Sequence, residues 1–445
     1  MKRFFYSFSP SSLFALAVAC AIQSASAFAS DEVRFIQVKT QNVEERSTVA
    51  NLGMSIEAVR SDSVWGFANT QEIEAIQKQG FKVLGNYSFE TGRGGHEGIL
   101  DFPSSDSRFH NYTETVAALR DLNSKHADIT RITSIGKTIE NRDIWALQIN
   151  TDPEALASSR STKPGIIYMG NHHAREHLSL EIPLMFAQYL LEHREDAEIS
   201  RLLETRDIWF VPMVNPDGVE WDISTGRYKN WRKNRRNNGN GTFGVDLNRN
   251  YGFMWGTGGS STDTSSDVYM GTQAFSEPET QAIRDFVNNH LNAKILLSFH
   301  TFSELILYPW GHKYDGIGNS RDRQTFETMA RTMAQWNRYT PQQSSQLYIA
   351  SGDTTDWAYG THGIFAFTFE LSPKDMWGGG GFYPGAGVID RVFQDNLRPC
   401  LYLLGLADDP HRASSSQPSS FLPNYVQPGS DAWILGSSPL VSSVQ

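Results

Sequence analysis

The chain has 445 residues, enough for two or three domains, with 39% hydrophobic and 12% aromatic residues, a balance that suits packed globular domains and excludes a disordered chain. Its formal net charge of -10 argues against a nucleic-acid partner, which needs a basic face.

The N-terminus reads as an export signal. Lys2 and Arg3 supply a basic start, residues 13–22 an apolar run, and Ala25-Ser26-Ala27 a small-residue cleavage site. The run is too short to anchor the chain in a bilayer. Leu16-Ala17-Val18-Ala19-Cys20 loosely resembles a lipobox, but Ala25-Ser26-Ala27 is the cleaner site. Loss of residues 1–27 leaves Cys400 alone, so no internal disulfide is expected. Cys400 lies in the apolar stretch 399–406 and reads as core. A secreted or periplasmic protein follows, monomeric and without membrane contact once the signal is removed.

Residues 28–100 form a small pattern of their own. Strand-like segments at 34–38, 56–60, 64–68 and 81–84 alternate with a helix at 43–52 and a second helix that Asn69 and Glu72 cap and Gly80 ends. The order β-α-β-β-α-β predicts a ferredoxin-like α+β unit. A Gly-rich linker with Gly92, Gly94, Gly95 and Gly98 follows, and Arg93 in it is a protease target by composition.

From 107 to 408 strands and helices alternate. Asn111 and Glu114 cap a helix to Lys125, segments 131–135 and 144–149 read as a hairpin, and 166–169 as a buried strand followed by a helix over 178–193. A strand at 207–214, a helix capped by Ser276 and Glu279 and running to His290, and strands at 295–299 and 364–369 complete the pattern. Hairpins mixed with βα units predict one α/β domain, a mixed β-sheet covered by helices on both faces. The tail 410–445, rich in Ser and Pro, is expected to be mobile.

The chemistry sits just past strand C-terminal ends, where open α/β sheets place their ligands. His173 and Glu176 follow the 166–169 strand, His300 ends the 295–299 strand, and Glu370 ends the 364–369 strand. One His, a carboxylate three residues later and a distant His suit a three-ligand zinc site with its fourth position open, and a separate carboxylate could activate a water there. The spacing places His173 and Glu176 on one side of a turn. His172 and His177 crowd the same loop, and His173-Ala174-Arg175-Glu176-His177 also matches the inverted zincin pattern, in which Glu176 is the base and His177 a ligand. That pattern belongs inside a helix, whereas here it follows a strand and Gly170-Asn171.

Taken singly, Arg232 or Arg249 is a surface charge, Glu370 a solvated strand end and Tyr348 a packing residue. Their order decides otherwise. Gly170 to Glu176, Asn215-Pro216-Asp217-Gly218, Trp231-Arg232-Lys233, Gly244 to Asn250, Ser298-Phe299-His300-Thr301, Tyr348 to Gly352 and Phe367 to Leu371 occur in that sequence. Together they resemble the zinc metallocarboxypeptidases of the carboxypeptidase A/B type, over residues 107–408. The resemblance implies that His173, Glu176 and His300 hold one Zn²⁺ with a water in the open position, and that Glu370 is the general base. It implies that Arg232 stabilises the oxyanion, that Asn248 and Arg249 grip the free C-terminal carboxylate of a peptide or protein, that Arg175 guides that carboxylate in, and that Tyr348 closes over the substrate from a mobile loop. Asp353 and Thr355 would floor the side-chain pocket and give broad specificity, apolar with basic residues also taken, as in the bacterial carboxypeptidase T type. Residues 28–100 resemble that family's inhibitory pro-domain. Two other readings keep the fold: a zinc amidopeptidase of cell-wall muropeptides, and a catalytically silent secreted binding module.

Overall fold

The computed structural model describes residues 33–87, 101–376 and 380–415. The export signal, the linker with Arg93 and the tail beyond Ser415 lie outside the described residues.

The N-terminal unit runs β1 (Arg34–Lys39), α1 (Val43–Asn51), β2 (Ser55–Val59), β3 (Ser63–Ala68), α2 (Thr70–Lys78) and β4 (Val83–Tyr87). Asn69 and Glu72 form the reciprocal cap of α2. The antiparallel sheet has the order β2-β3-β1-β4, which is the split βαβ arrangement. Its last strand starts at Val83 and not at Phe81, because the Phe81 amide is spent on the Ile76 carbonyl in closing α2. One sheet face buries Ile36, Val38 and Val64 under Val49 and Ala50 of α1 and Ile73 and Ile76 of α2. The other carries Phe35 and Phe67, which pack on Phe302 and Phe382 of the larger domain.

The larger domain contains α3 (Tyr112–Lys125), β5 (Thr130–Lys137), β6 (Asp143–Ile149), α4 (Pro153–Ser158), β7 (Gly165–Gly170), α5 (Leu178–Glu192), α6 (Ala197–Thr205), β8 (Asp207–Val211), α7 (Pro216–Ile223), α8 (Pro278–Asn289), β9 (Ala293–Thr301), β10 (Leu305–Tyr308), α9 (Ser320–Asn337), β11 (Thr340–Gln343), α10 (Thr354–His362), β12 (Phe365–Leu371) and α11 (Ile389–Leu406). Its strands form one sheet in the order β11-β10-β12-β9-β7-β8-β6-β5, with β12, β9, β7 and β8 parallel at the centre. The period-2 pleat sorts the central side chains onto two faces. Ile166, Tyr168, Ile208, Phe210, Ile295 and Leu297 meet α5, α6, α9 and α11 on one face. Ile167, Met169, Trp209, Val211 and Leu296 meet α8 and α10 on the other. The expected mixed sheet with helices on both faces is what the chain adopts. No helix among the described residues is long and apolar enough to cross a membrane.

Three local expectations are corrected. β8 stops at Val211, ahead of Pro212, which has no amide to donate. α8 has Glu277 and not Ser276 at its N-cap, with no side-chain cap bond, because the Glu279 carboxylate is drawn away to the Ile139 amide and Asn234. The tail does not begin at 410: Pro410–Ser414 is a 3-10 turn, with His411 Nδ1 3.0 Å from Thr325 Oγ1 on α9.

Asp207, fully buried at the start of β8, accepts from Gln148, Asn150, Trp209 and Asn292 at 2.7–3.0 Å. Removing the acceptor takes a hydrogen bond from four donors, three of them buried. Asp207→Ala is expected to lower stability by more than about 3 kcal/mol in urea unfolding, while kcat per folded molecule is unchanged because the site lies at the opposite strand ends. An unchanged urea midpoint refutes that role for Asp207.

Candidate active site

Parallel pairing of β9 with β12 sets His300 opposite Glu370. Both have the parity of Leu296 and Ala366, so the pleat aims them to the α8/α10 side. The third segment arrives from β7. A Cβ on Gly170 would lie 2.0 Å from the Ser179 carbonyl oxygen, so the strand can end there only with glycine. Asn171 follows at φ 57°, and the Glu176 amide closes a turn on the His173 carbonyl at 3.2 Å.

That turn brings three buried side chains together. His173 Nδ1 is 2.7 Å from Glu176 Oε1, His300 Nδ1 is 2.9 Å from Glu176 Oε2, and the two Nδ1 atoms are 3.2 Å apart. Two imidazole nitrogens facing each other at this distance cannot both carry protons. The spacing matches the edge of a tetrahedron with metal–nitrogen bonds of ~2.0–2.1 Å, so the donor set fits Zn²⁺. Among the described residues, this His-Glu-His group is the cluster of three able to hold an ion. Both imidazoles hold the Glu176 carboxyl well below the usual range against the opposing effect of burial.

Asp246 lies inside the 244–250 motif, but the sequence assigns it no role. It is fully buried and caps the 3-10 turn Leu247–Arg249. Oδ1 lies 3.2 Å from His173 Nε2 and accepts from the Asn248 amide at 2.9 Å. Oδ2 takes both Nε and a terminal nitrogen of Arg232 at 3.0 Å. Burial opposes its charge, yet Arg232 and His173 hold the carboxyl well below the usual carboxylate range. A cavity of about 360 Å³ opens beside the cluster, lined by His173, Glu176, Arg232, Asn248, Arg249, Tyr348 and Glu370, and by Ile56 and Glu57 of β2.

The zinc carboxypeptidase family model matches residues 115–398, more than half of the chain. The chain belongs to the zinc carboxypeptidase family. This metallocarboxypeptidase is a hydrolase of peptide bonds with Zn²⁺ as cofactor. A zinc carboxypeptidase of Saccharothrix mutabilis subsp. capreolus is 35% identical over 378 residues, spanning 81% of this chain and 86% of that one. Zinc carboxypeptidase A 1 of Anopheles gambiae is 33% identical over 281 residues, 61% of this chain and 62% of that one. The crystal structure of carboxypeptidase A from Helicoverpa armigera superposes with a TM-score of 0.68 at 25% identity, covering 87% of this chain and 99% of that one.

Several residues of this carboxypeptidase stand where sequence alone did not put them. Arg175 lines no open cleft. It is fully buried between the Phe67 and Phe382 rings and pairs with Glu57 at 2.7 Å and Asp267 at 3.1 Å. Tyr348 donates its hydroxyl to the Ile56 carbonyl at 3.2 Å, and Arg46 holds the neighbouring Leu347 and Gln346 carbonyls. Asp353 caps α10, with Oδ1 accepting from Thr355 and Asp356, and its Oδ2 is buried without a partner. Neither Asp353 nor Thr355 lines the described cavity. His177 stands apart, 2.9 Å from Asp222, and His172 lies 2.9 Å from the Tyr251 hydroxyl. Glu57 could not be found from sequence, because its partner Arg175 is 118 residues away with no local pattern between them.

Asp246→Asn keeps the shape but removes the charge that orients His173. Its zinc affinity is expected to fall ~10–100-fold in chelator competition, with far-UV circular dichroism unchanged. Unaltered affinity refutes this coupling.

Proposed function

We propose that the protein is an exported exopeptidase that releases single residues from the free C-termini of peptides and proteins, and that residues 28–100 are its inhibitory pro-domain. The observation that carries the reading is that Asn248 and Arg249 line one cavity with Glu370 and with His173 and Glu176 of the His-Glu-His cluster. Zn²⁺, when bound, supplies a Lewis acid and lowers the pKa of a water it holds to about 7.

Glu370 is the proton acceptor for the attacking water and later the donor to the leaving amine. Burial, then the nearby Glu176 and Glu57, push its carboxyl well above the ordinary value, so its ionised form is a strong base. Asp246 grips Arg232 by two nitrogens and keeps its charge beside Glu370 for the developing oxyanion. Asn248 Oδ1 is spent on the amide and hydroxyl of Thr354, which turns its amide nitrogen into the group that meets the substrate carboxylate. Arg249 is steadied by the Gly259 and Asn248 carbonyls and offers that carboxylate a charge-assisted pair. A mid-chain bond presents no carboxylate to this grip.

The unpaired Oδ2 of Asp353 supports broad specificity, apolar residues with Lys and Arg also accepted. Strand β2 lies over the cavity with Glu57 on Arg175 and Ile56 on Tyr348, which supports inhibition until the linker is cut near Arg93. Release would free Tyr348 to close over substrate and Arg175 to guide its carboxylate.

The test uses paired peptides, one with a free C-terminus and one amidated, and the linker-cleaved protein. Chelator-sensitive release from the free peptide alone is expected, reduced ~10²–10⁴-fold in Glu370→Gln. Equal cleavage of the amidated peptide rules out the carboxylate grip. Exclusion of C-terminal Lys and Arg by about a hundredfold or more removes Asp353 from specificity. Equal turnover before and after linker cleavage returns residues 28–100 to an ordinary N-terminal domain.

A further inference from the structure

Helix α1 holds the larger domain through Arg46 and Ser47, and the N-terminal unit touches it along two further seams. One covers the cavity through Glu57, Ile56 and the Arg60–Asp375 ion pair. The other joins the start of α2 and the α1–β2 turn to the loop 257–267. There Asn69 Nδ2 donates to Ser265 Oγ at 3.0 Å, Ser266 Oγ donates to the Gly53 carbonyl at 3.2 Å, and Asn51 Oδ1 accepts from the Gly259 amide at 2.7 Å.

Glu72 sits inside this second seam. It is only 6% exposed. Oε2 accepts from the Asn69 amide in the helix cap, but Oε1 has no hydrogen-bond partner, since the neighbouring Ser266 hydroxyl is given to Gly53. The Gly53 backbone packs so closely that a Cβ there would lie 2.3 Å from Oε1. The charges facing it from loop 257–267 are Asp263 and Asp267, both raising its pKa. Asp267 is paired with Arg175. The Lys233 ammonium also interacts with it, but its Nζ is tied to the Thr264 and Ser266 carbonyls at 2.9 and 2.8 Å. On its own helix Glu74 is exposed. An anion at this place would be buried, half-solvated by protein and faced by two carboxylates, which is costly.

We propose that Glu72 is a proton-dependent latch: the N-terminal unit docks with this carboxyl protonated and loosens as pH rises. The inference rests on the pro-domain reading for its consequence, which is easier activation in alkaline surroundings. The sign follows from linkage. Burial lifts the docked carboxyl to about 8 from the ordinary 4.5, opposed by the nearby Ser266 hydroxyl and the Asn69 amide and reinforced by Asp267 and Asp263. Docking therefore takes up a proton, is strongest at low pH, weakens through neutrality and levels off above about 8.

The experiment uses the full chain, cut once in the linker, with the two pieces analysed by gel filtration from pH 6 to pH 9. The dissociation constant is expected to rise about tenfold per pH unit up to pH 8 and then level. Glu72→Gln keeps the reciprocal helix cap, since Gln serves at that position, and is expected to bind tightly with little pH dependence. A pH-independent wild type overturns the proposal, and so does a Glu72→Gln chain that keeps the full rise. Turnover of the uncut chain relative to the cut one is measured at each pH as a separate arm. Equal turnover at every pH, with the elution shift intact, defeats inhibition by residues 28–100 and leaves the latch standing.

Discussion

The parallel register of β9 on β12 is the constraint from which the site follows. His300 and Glu370 are adjacent because both strands are paired residue for residue to their last turn. The pleat then leaves them no choice of face, since Leu296 and Ala366 bury the same side beneath α8 and α10. A slip of one residue would turn His300 and its apolar partners to the opposite face together. The hydrophobic core and the chemistry are therefore specified by one alternation. The turn after β7 is set by a different means, the absence of a side chain at Gly170, and it delivers His173 and Glu176 to the same strand ends.

Charge holds what the sheet brings together. A single buried carboxylate, Asp246, touches a ligand of the His-Glu-His cluster, the Arg232 guanidinium and the backbone of Asn248. Such a group is costly to bury unless each oxygen is satisfied, and here each one is. Its partners come from three separate segments, so their relative positions are coupled through one side chain and not merely through the backbone. Asp207 does comparable work at the far end of the sheet with neutral donors, where it supports the fold and no chemistry.

The N-terminal unit meets the site with an edge strand. β2 has one paired neighbour, β3, so its other edge is open to partners. In this chain the Ile56 and Glu57 carbonyls of that strand accept hydroxyls from Tyr348 and Ser303 of the larger domain. The Phe67 ring on the next strand covers Arg175, and Phe382 covers its other face. The contact thus combines edge hydrogen bonds, an aromatic sandwich and ion pairs over the same cleft that the sheet builds.

Much of this was legible in the sequence. The split βαβ order, the Asn69–Glu72 and Asn111–Glu114 caps, the mixed sheet and the family follow from periodicity, capping chemistry and an ordered set of motifs, all of which are local in the chain. The strand ends at Val211 and Val83 and the cap of α8 depart from the local pattern because Pro212, the closing bond of Phe81 and the diversion of Glu279 each act one step beyond it. Only the tertiary structure placed Glu57 on Arg175, gave Asp246 its three partners, pinned Tyr348 to Ile56 and buried Asp353 without an Oδ2 partner. The reason is physical: a sequence states which groups are present and how each short segment prefers to fold. Burial, the pairing of distant charges and the partner left over for each polar atom exist only once separate segments are packed against one another.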